Sequence, residues 1–317
     1  MGSLLTSILP VFLLVALGYA AVRFRVFPAA GLAALGSFVI RIALPVLLFH
    51  SLTQHPLREV FNGRYLAAYA LGSLLAMAVG LLWSRQWRRQ SLERAAIVAM
   101  GCSYANSAYL AYPIVLQLLG PVAGRVLALC SLVENILMMP LTLAIADSAS
   151  ATHEPFVRAL GRSLARLRHN PIIIGIVLGA ACASLRLPEA LERAVELVAA
   201  CSAPLALFTV GGNLVGLALG ELLLDAQAIS FTKLLLHPLA VAALMLTIGP
   251  ADPALRMGAV ITASAPMLTI YPIFGARHGL QGLCAAALLL ATTLSFVTLS
   301  TWVWLISAGG PLSALFH

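Results

Sequence analysis

Gly101-Cys102-Ser103-Tyr104-Ala105-Asn106-Ser107-Ala108-Tyr109-Leu110-Ala111-Tyr112-Pro113 is the most informative stretch of this chain. It sits inside an apolar run, 94–119, yet holds two serines, an asparagine, three tyrosines and a proline. Pro113 has no N–H, and in a regular helix its ring would meet the carbonyl of Tyr109 one turn back. In hydrocarbon a freed carbonyl needs a partner from another helix, from water or from a ligand. Asn106 offers both donor and acceptor groups. The segment predicts a broken helix lining a polar cavity. The competing reading is a kinked helix whose polar groups only bind neighbouring helices.

The surrounding chain supplies the lipid environment on which that prediction depends. Of 317 residues, 61% are hydrophobic and 9% charged, against roughly a quarter charged in a soluble domain. Lipid must therefore be the solvent for much of the exterior. Apolar segments recur at 4–22, 32–50, 63–83, 94–119, 124–146, 170–187, 196–218, 227–248, 255–275 and 280–306. Strands in isolation would leave backbone groups unpaired, so each segment reads as helix. The expected fold is an all-α polytopic membrane protein with ten transmembrane helices.

Sidedness follows from Lys and Arg. Arg23, Arg25, Arg85, Arg88, Arg89, Arg94, Arg158, Arg162, Arg166, Arg168 and Arg277 fall on one side. Arg58, Arg64, Arg125, Arg186, Arg193 and Arg256 fall on the other, while Arg41 and Lys233 lie inside spans. Eleven against six puts the first set in the cytoplasm. The expected location is a bacterial inner membrane with both termini periplasmic. The net charge of +8 then reflects topology, and nucleic acid is not an expected partner. The first segment lacks a basic flank before it, so it reads as a retained span rather than a signal peptide.

The chain also contains a weak internal repeat. Tyr112-Pro113-Ile114 recurs as Tyr271-Pro272-Ile273, Pro45 and Phe49 as Pro204 and Phe208, and Gly120 as Gly279, all at an offset of 159. Five helices per half make the two copies enter from opposite sides, which gives two inverted five-helix repeats. The expected division is 1–146, a cytoplasmic connecting loop over 147–169 that includes His153, and 170–317. The competing reading is that these Pro and Gly matches only mark helix kinks.

Polar residues at membrane depth are the candidate functional groups. The ninth span carries Thr262, Ser264, Pro266, Thr269, Tyr271 and Pro272, and two prolines six residues apart predict a second break. Ala265 stands where the first half has Asn106, so the two breaks differ chemically. Half-helix N-termini meeting near the midplane suit a carboxylate. Ser103, Tyr104, Asn106, Ser107 and Thr269 are candidate substrate contacts, with Arg41 a candidate for meeting an anion. Pro45, Pro113, Pro204, Pro266 and Pro272 are candidate hinges. Glu134, the acidic residue well inside a span, is a candidate proton-coupling group or a structural pair partner. Lys233 reads as interfacial, His237 as a group able to titrate near neutral pH, His278 as a loop residue and Asn213 as a packing residue beside Gly211-Gly212. No Walker, dinucleotide, HExxH or GxSxG signature is present, so an enzyme is not expected, nor is a metal or other cofactor.

Taken in order, Leu9-Pro10-Val11-Phe12 with Gly18-Tyr19, Ala43-Leu44-Pro45, the Asn106-to-Pro113 segment, Val133-Glu134-Asn135, Lys233-to-Pro238 and the Pro266–Pro272 region resemble the auxin efflux carrier family. Within it, the chain resembles the bacterial malonate or organic-acid transporters, which lack the long central loop of many plant members. The resemblance implies crossover helices four and nine at the substrate site. It also implies a homodimer and a scaffold built largely from helices one, two, six and seven. The expected function is secondary active transport, by alternating access, of a small organic anion such as a malonate-like mono- or dicarboxylate. A proton is preferred over sodium as coupling ion, because no sodium cage is visible. The alternatives are an uncoupled facilitator and a transport-fold ligand sensor.

Overall fold

The structure, a computed structural model, describes residues 2–53, 61–149, 155–183, 187–216, 223–307 and 310–316. Arg58, His153 and Arg186 lie outside them. Helices are α1 (Gly2–Arg23), α2 (Ala29–Thr53), α3 (Gly63–Trp87), α4 (Leu92–Ser103), α5 (Tyr112–Leu119), α6 (Val122–Ser148) and α7 (Phe156–Ala165). They continue as α8 (Pro171–Ala181), α9 (Glu189–Asn213), α10 (Leu224–Thr247), α11 (Pro253–Ser264), α12 (Tyr271–Ala276), α13 (Gln281–Ile306) and α14 (Ser313–Phe316). No strand occurs among the described residues. Among the described residues six helices, α2, α3, α6, α9, α10 and α13, are long and apolar enough to cross a membrane. The chain is a multi-pass membrane protein. Leu71, Leu75, Val79 and Leu82 lie exposed along one side of α3, as a lipid-facing stripe should.

Two of the remaining apolar segments are interrupted rather than short. Residues 104–106 separate α4 from the next helical turn, and 265–270 separate α11 from α12. Pro113 is not itself the break. It follows a widened π-turn, Ser107–Ala111, and sits in the first turn of α5. The same pairing recurs along the chain. Val39–Ala43 precedes Pro45, Val133–Met138 precedes Pro140, and Thr232–Leu236 precedes Pro238. A proline removes one N–H and crowds the carbonyl one turn back, and a π-turn is a local way to absorb both. Arg41, Ser107, Glu134 and Lys233 each ride on one of these four turns. The stretch 147–169 is partly helical, holding α7 and a 3₁₀ turn at Arg166–His169.

The chain forms two compact units, each drawing on both sequence halves. The first comprises 1–63, 107–131 and 168–216; the second comprises 64–106, 132–167 and 217–317. In the first unit α1 packs on the second half of α9, and α8 packs on the second half of α2. Gly175 and Gly179 of α8 face Pro45 and Phe49 of α2, so close that a Cβ at Gly175 would lie 2.6 Å from the Pro45 carbonyl oxygen. Gly211 meets the α1 backbone at Val15 in the same manner, and Gly212 meets Leu32. These are small-residue contacts of the kind that bring membrane helices together. Asn213, next in line, is exposed.

The second unit places α4 and α7 against the end of α6, α10 against α13 and α11, and α12 against α13. Gly101 makes room for Tyr271, whose hydroxyl donates to the Ile97 carbonyl at 2.9 Å. That bond carries the start of α12 onto the side of α4.

Candidate substrate and coupling site

The two interruptions meet in the second unit. The Asn106 backbone N–H donates to the Pro266 carbonyl at 2.8 Å, and Asn106 Nδ2 donates to Thr269 Oγ1 at 3.0 Å. One residue thus bonds both ends of the opposite interruption, as an edge strand and a side-chain clamp together would. Asn106 is buried at 4% exposure and Thr269 is half-buried. The ends of the half-helices are closed locally. Ser103 Oγ donates to the Ala99 carbonyl, Tyr104 N–H to Met100, Ser264 Oγ to Ile261, and Ala265 N–H to Thr262.

The carbonyl of Ala263, at the C-terminal end of α11, accepts from Lys233 Nζ at 2.6 Å. A cation at the negative end of a helix is electrostatically favoured. Lys233 is 0% exposed, so the expectation of an interfacial lysine is corrected. Snorkelling would satisfy the ammonium at the water boundary. Here the interrupted helix satisfies it at depth instead.

Lys233 also lies 3.0 Å from His237 Nδ1, and His237 Nε2 lies 3.0 Å from Ser73 Oγ. The donor and acceptor roles along this Lys233–His237–Ser73 chain follow the tautomer of the imidazole. Glu134, 2% exposed, accepts from the Tyr69 hydroxyl at 3.0 Å and acts electrostatically on both Lys233 and Tyr104. Glu134, Lys233 and His237 are all buried in the unit that holds the paired interruptions. Isolated charges there would be costly, and opposite charges offset part of that cost.

A buried polar network in a polytopic chain suits a transport protein, and comparison with known proteins agrees that the chain is one. The family of membrane transport proteins matches residues 3–303. The chain belongs to this family. The transporter is 29% identical over 325 residues to a Rhizobium meliloti (strain 1021) protein named "Putative malonate transporter", with all of both chains covered. It is 27% identical over 141 residues to an Oryza sativa subsp. japonica protein named "Probable auxin efflux carrier component 1c", covering 44% of this chain and 24% of that one. The chain is a membrane transporter and not an enzyme.

The transporter brings together only some of the residues singled out from sequence. Ser103, Tyr104, Asn106, Pro266, Thr269 and Pro272 lie in the second unit with Glu134. Tyr104 is buried, and Pro272 is half-buried. Arg41, Pro45, Ser107, Pro113 and Pro204 belong to the first unit. Arg41 and Pro204 are exposed, whereas Ser107 and Pro113 are buried and Pro45 is half-buried, packed on α8 at Gly175. His278 is held by Glu93 at 2.7 Å, which ties the turn before α13 to the first turn of α4. Tyr69, Ser73 and the buried role of Lys233 are not evident from sequence pattern. The ionisable groups do carry one signal: Glu134 and Lys233 each precede an intramembrane proline by six or five residues.

Proposed function

We propose that the transporter moves a small organic anion, a malonate-like mono- or dicarboxylate, by alternating access coupled to protons. The observation that carries this reading is the clamp of Asn106 on Pro266 and Thr269 beside the Glu134–Lys233–His237 network. The clamp bonds the two interruptions directly, so a substrate carboxylate competing for the Asn106 amide would loosen one from the other. Glu134 exchanges a proton as that happens, and Lys233 and His237 adjust the charge that remains. The malonate named for the full-length relative fits this chemistry.

The architecture proposed with it is ten spans in two inverted repeats, in a bacterial inner membrane, with periplasmic termini and a homodimeric assembly. Three matched features support the repeat. α5 and α12 both begin at a tyrosine, at 112 and 271, and α6 and α13 begin at 122 and 281. Gly120 and Gly279 take left-handed φ of 67° and 68°, a conformation that favours glycine. Each pair is 159 residues apart. The first unit holds most of the segments that the family resemblance assigns to a scaffold, together with 107–131, which supports a reading with the second unit as the mobile body.

Uptake of radiolabelled mono- and dicarboxylates into proteoliposomes, under imposed pH and sodium gradients, tests the proposal. Saturable dicarboxylate uptake that rises with an inward proton gradient is expected. Flux indifferent to either gradient would make the protein a facilitator, and binding without flux would make it a sensor.

A further inference from the structure

Helix α7 has three distinct faces. Ala159 and Ser163 are buried against the end of α6. Arg158, Arg162 and Arg166, spaced four apart, share a second, exposed face. Val157 and Leu164, spaced seven apart, are exposed on a third side at 79% and 40%, while Phe156, 38% exposed, lies nearer the packing face. Residues 155–169 contain no acidic side chain. Asp147, in the last turn of α6, binds Arg162 at 2.6 Å. That pair fixes the height of α7. The 27-residue helix that ends at Ser148 is long and apolar enough to cross a membrane, and its end then falls near the boundary between hydrocarbon and headgroups. The small residues on the packing face of α7 let it approach the end of α6 closely, and the charge of Arg162 is paired with Asp147. Arg158 and Arg166 keep theirs turned outward.

We infer that α7 is an interfacial binding site for anionic phospholipid headgroups. Val157 and Leu164 enter the acyl boundary, and Arg158 and Arg166 engage lipid phosphates from the opposite flank. The combination of an apolar side, a basic side and no acid is that of a helix lying in an anionic interface. A basic patch facing water alone would not need exposed Val157 and Leu164. A helix destined for an apolar protein partner would not need two outward arginines. The site holds the end of α6, and hence the segment carrying Glu134, to the leaflet that is richer in anionic lipid.

The test uses the full chain reconstituted in vesicles of phosphatidylcholine alone, or with about one-third phosphatidylglycerol, and reads retained lipid by native mass spectrometry together with thermal stability. Each basic residue near such a surface is worth about fivefold in affinity. The double variant Arg158→Gln/Arg166→Gln should therefore lose phosphatidylglycerol retention by roughly twenty-five-fold, and lose the stabilisation that this lipid confers. Arg158→Lys/Arg166→Lys should keep most of both. Val157→Ser/Leu164→Ser should weaken retention while leaving the arginines in place. Equal phosphatidylglycerol retention by the glutamine variant and the parent would overturn the inference. So would full competition by millimolar inorganic phosphate, which would mark a soluble-anion site. Both exposed arginines can be replaced without touching the core, and a matching melt in phosphatidylcholine alone verifies that the fold survives.

Discussion

The two compact units solve the membrane problem by different chemistry. In the first, helices approach through Gly175, Gly179, Gly211 and Gly212, and the buried polar residues described there are Ser107, Ser131, Ser202 and Thr209. In the second, Glu134, Asp225, Lys233 and His237 are all buried. Asp225 takes Arg88 and Arg94 at 2.9 and 3.0 Å, with Gln90 as a further donor. Glycine contacts cost nothing in desolvation and leave little freedom to rearrange. Buried charges are expensive, yet their protonation and partners can change. In the proposed cycle the first unit serves as support and the second carries the chemistry.

The largest effect should come from Lys233→Ala, which leaves the Ala263 carbonyl and His237 Nδ1 without their buried partner. Stability should fall by about 1–3 kcal/mol for each stranded group, seen as an early melt in detergent. The double variant Glu134→Gln/Lys233→Met, which still strands Ala263, should recover only part of that loss and not proton-driven uptake. A wild-type melt for Lys233→Ala would deny the network its stabilising role. Gly175→Leu should cost about 1–3 kcal/mol by overpacking α8 on α2, with uptake per folded molecule unchanged. Lost uptake from a normally stable Gly175→Leu protein would give the first unit a chemical role. Thr269→Val strands the Asn106 amide, at about 1 kcal/mol, and should raise KM in the proteoliposome assay. His278→Gln, which weakens a partly exposed pair with Glu93, should cost under about 1 kcal/mol and leave KM unmoved.

Much of this arrangement is legible in the amino-acid sequence. Polar residues crowded between apolar ones at 103–107 and the prolines at 266 and 272 announce two interruptions, because lipid tolerates such residues only where partners exist. The position of the first interruption is less legible. Pro113 is the conspicuous residue, but a π-turn absorbs it, and the helix opens at 104–106. Lys233 misleads because sequence position cannot separate a lysine that reaches water from one that reaches a freed carbonyl. The carbonyl in question belongs to Ala263, thirty residues on. The Tyr69–Glu134 bond joins residues 65 apart, and no local pattern reports it. Helix α7 is hidden in a polar stretch, since its packing face consists of an alanine and a serine rather than large apolar residues.

Asn106 is the residue that links the two interruptions to each other and, in the proposed cycle, to the substrate. Counterflow of a radiolabelled dicarboxylate by Asn106→Ala protein in proteoliposomes, with folded protein verified by gel filtration, tests that role directly. Loss of saturable exchange from a folded, monodisperse variant is the expected result. Exchange with the KM and maximal rate of the parent would contradict it.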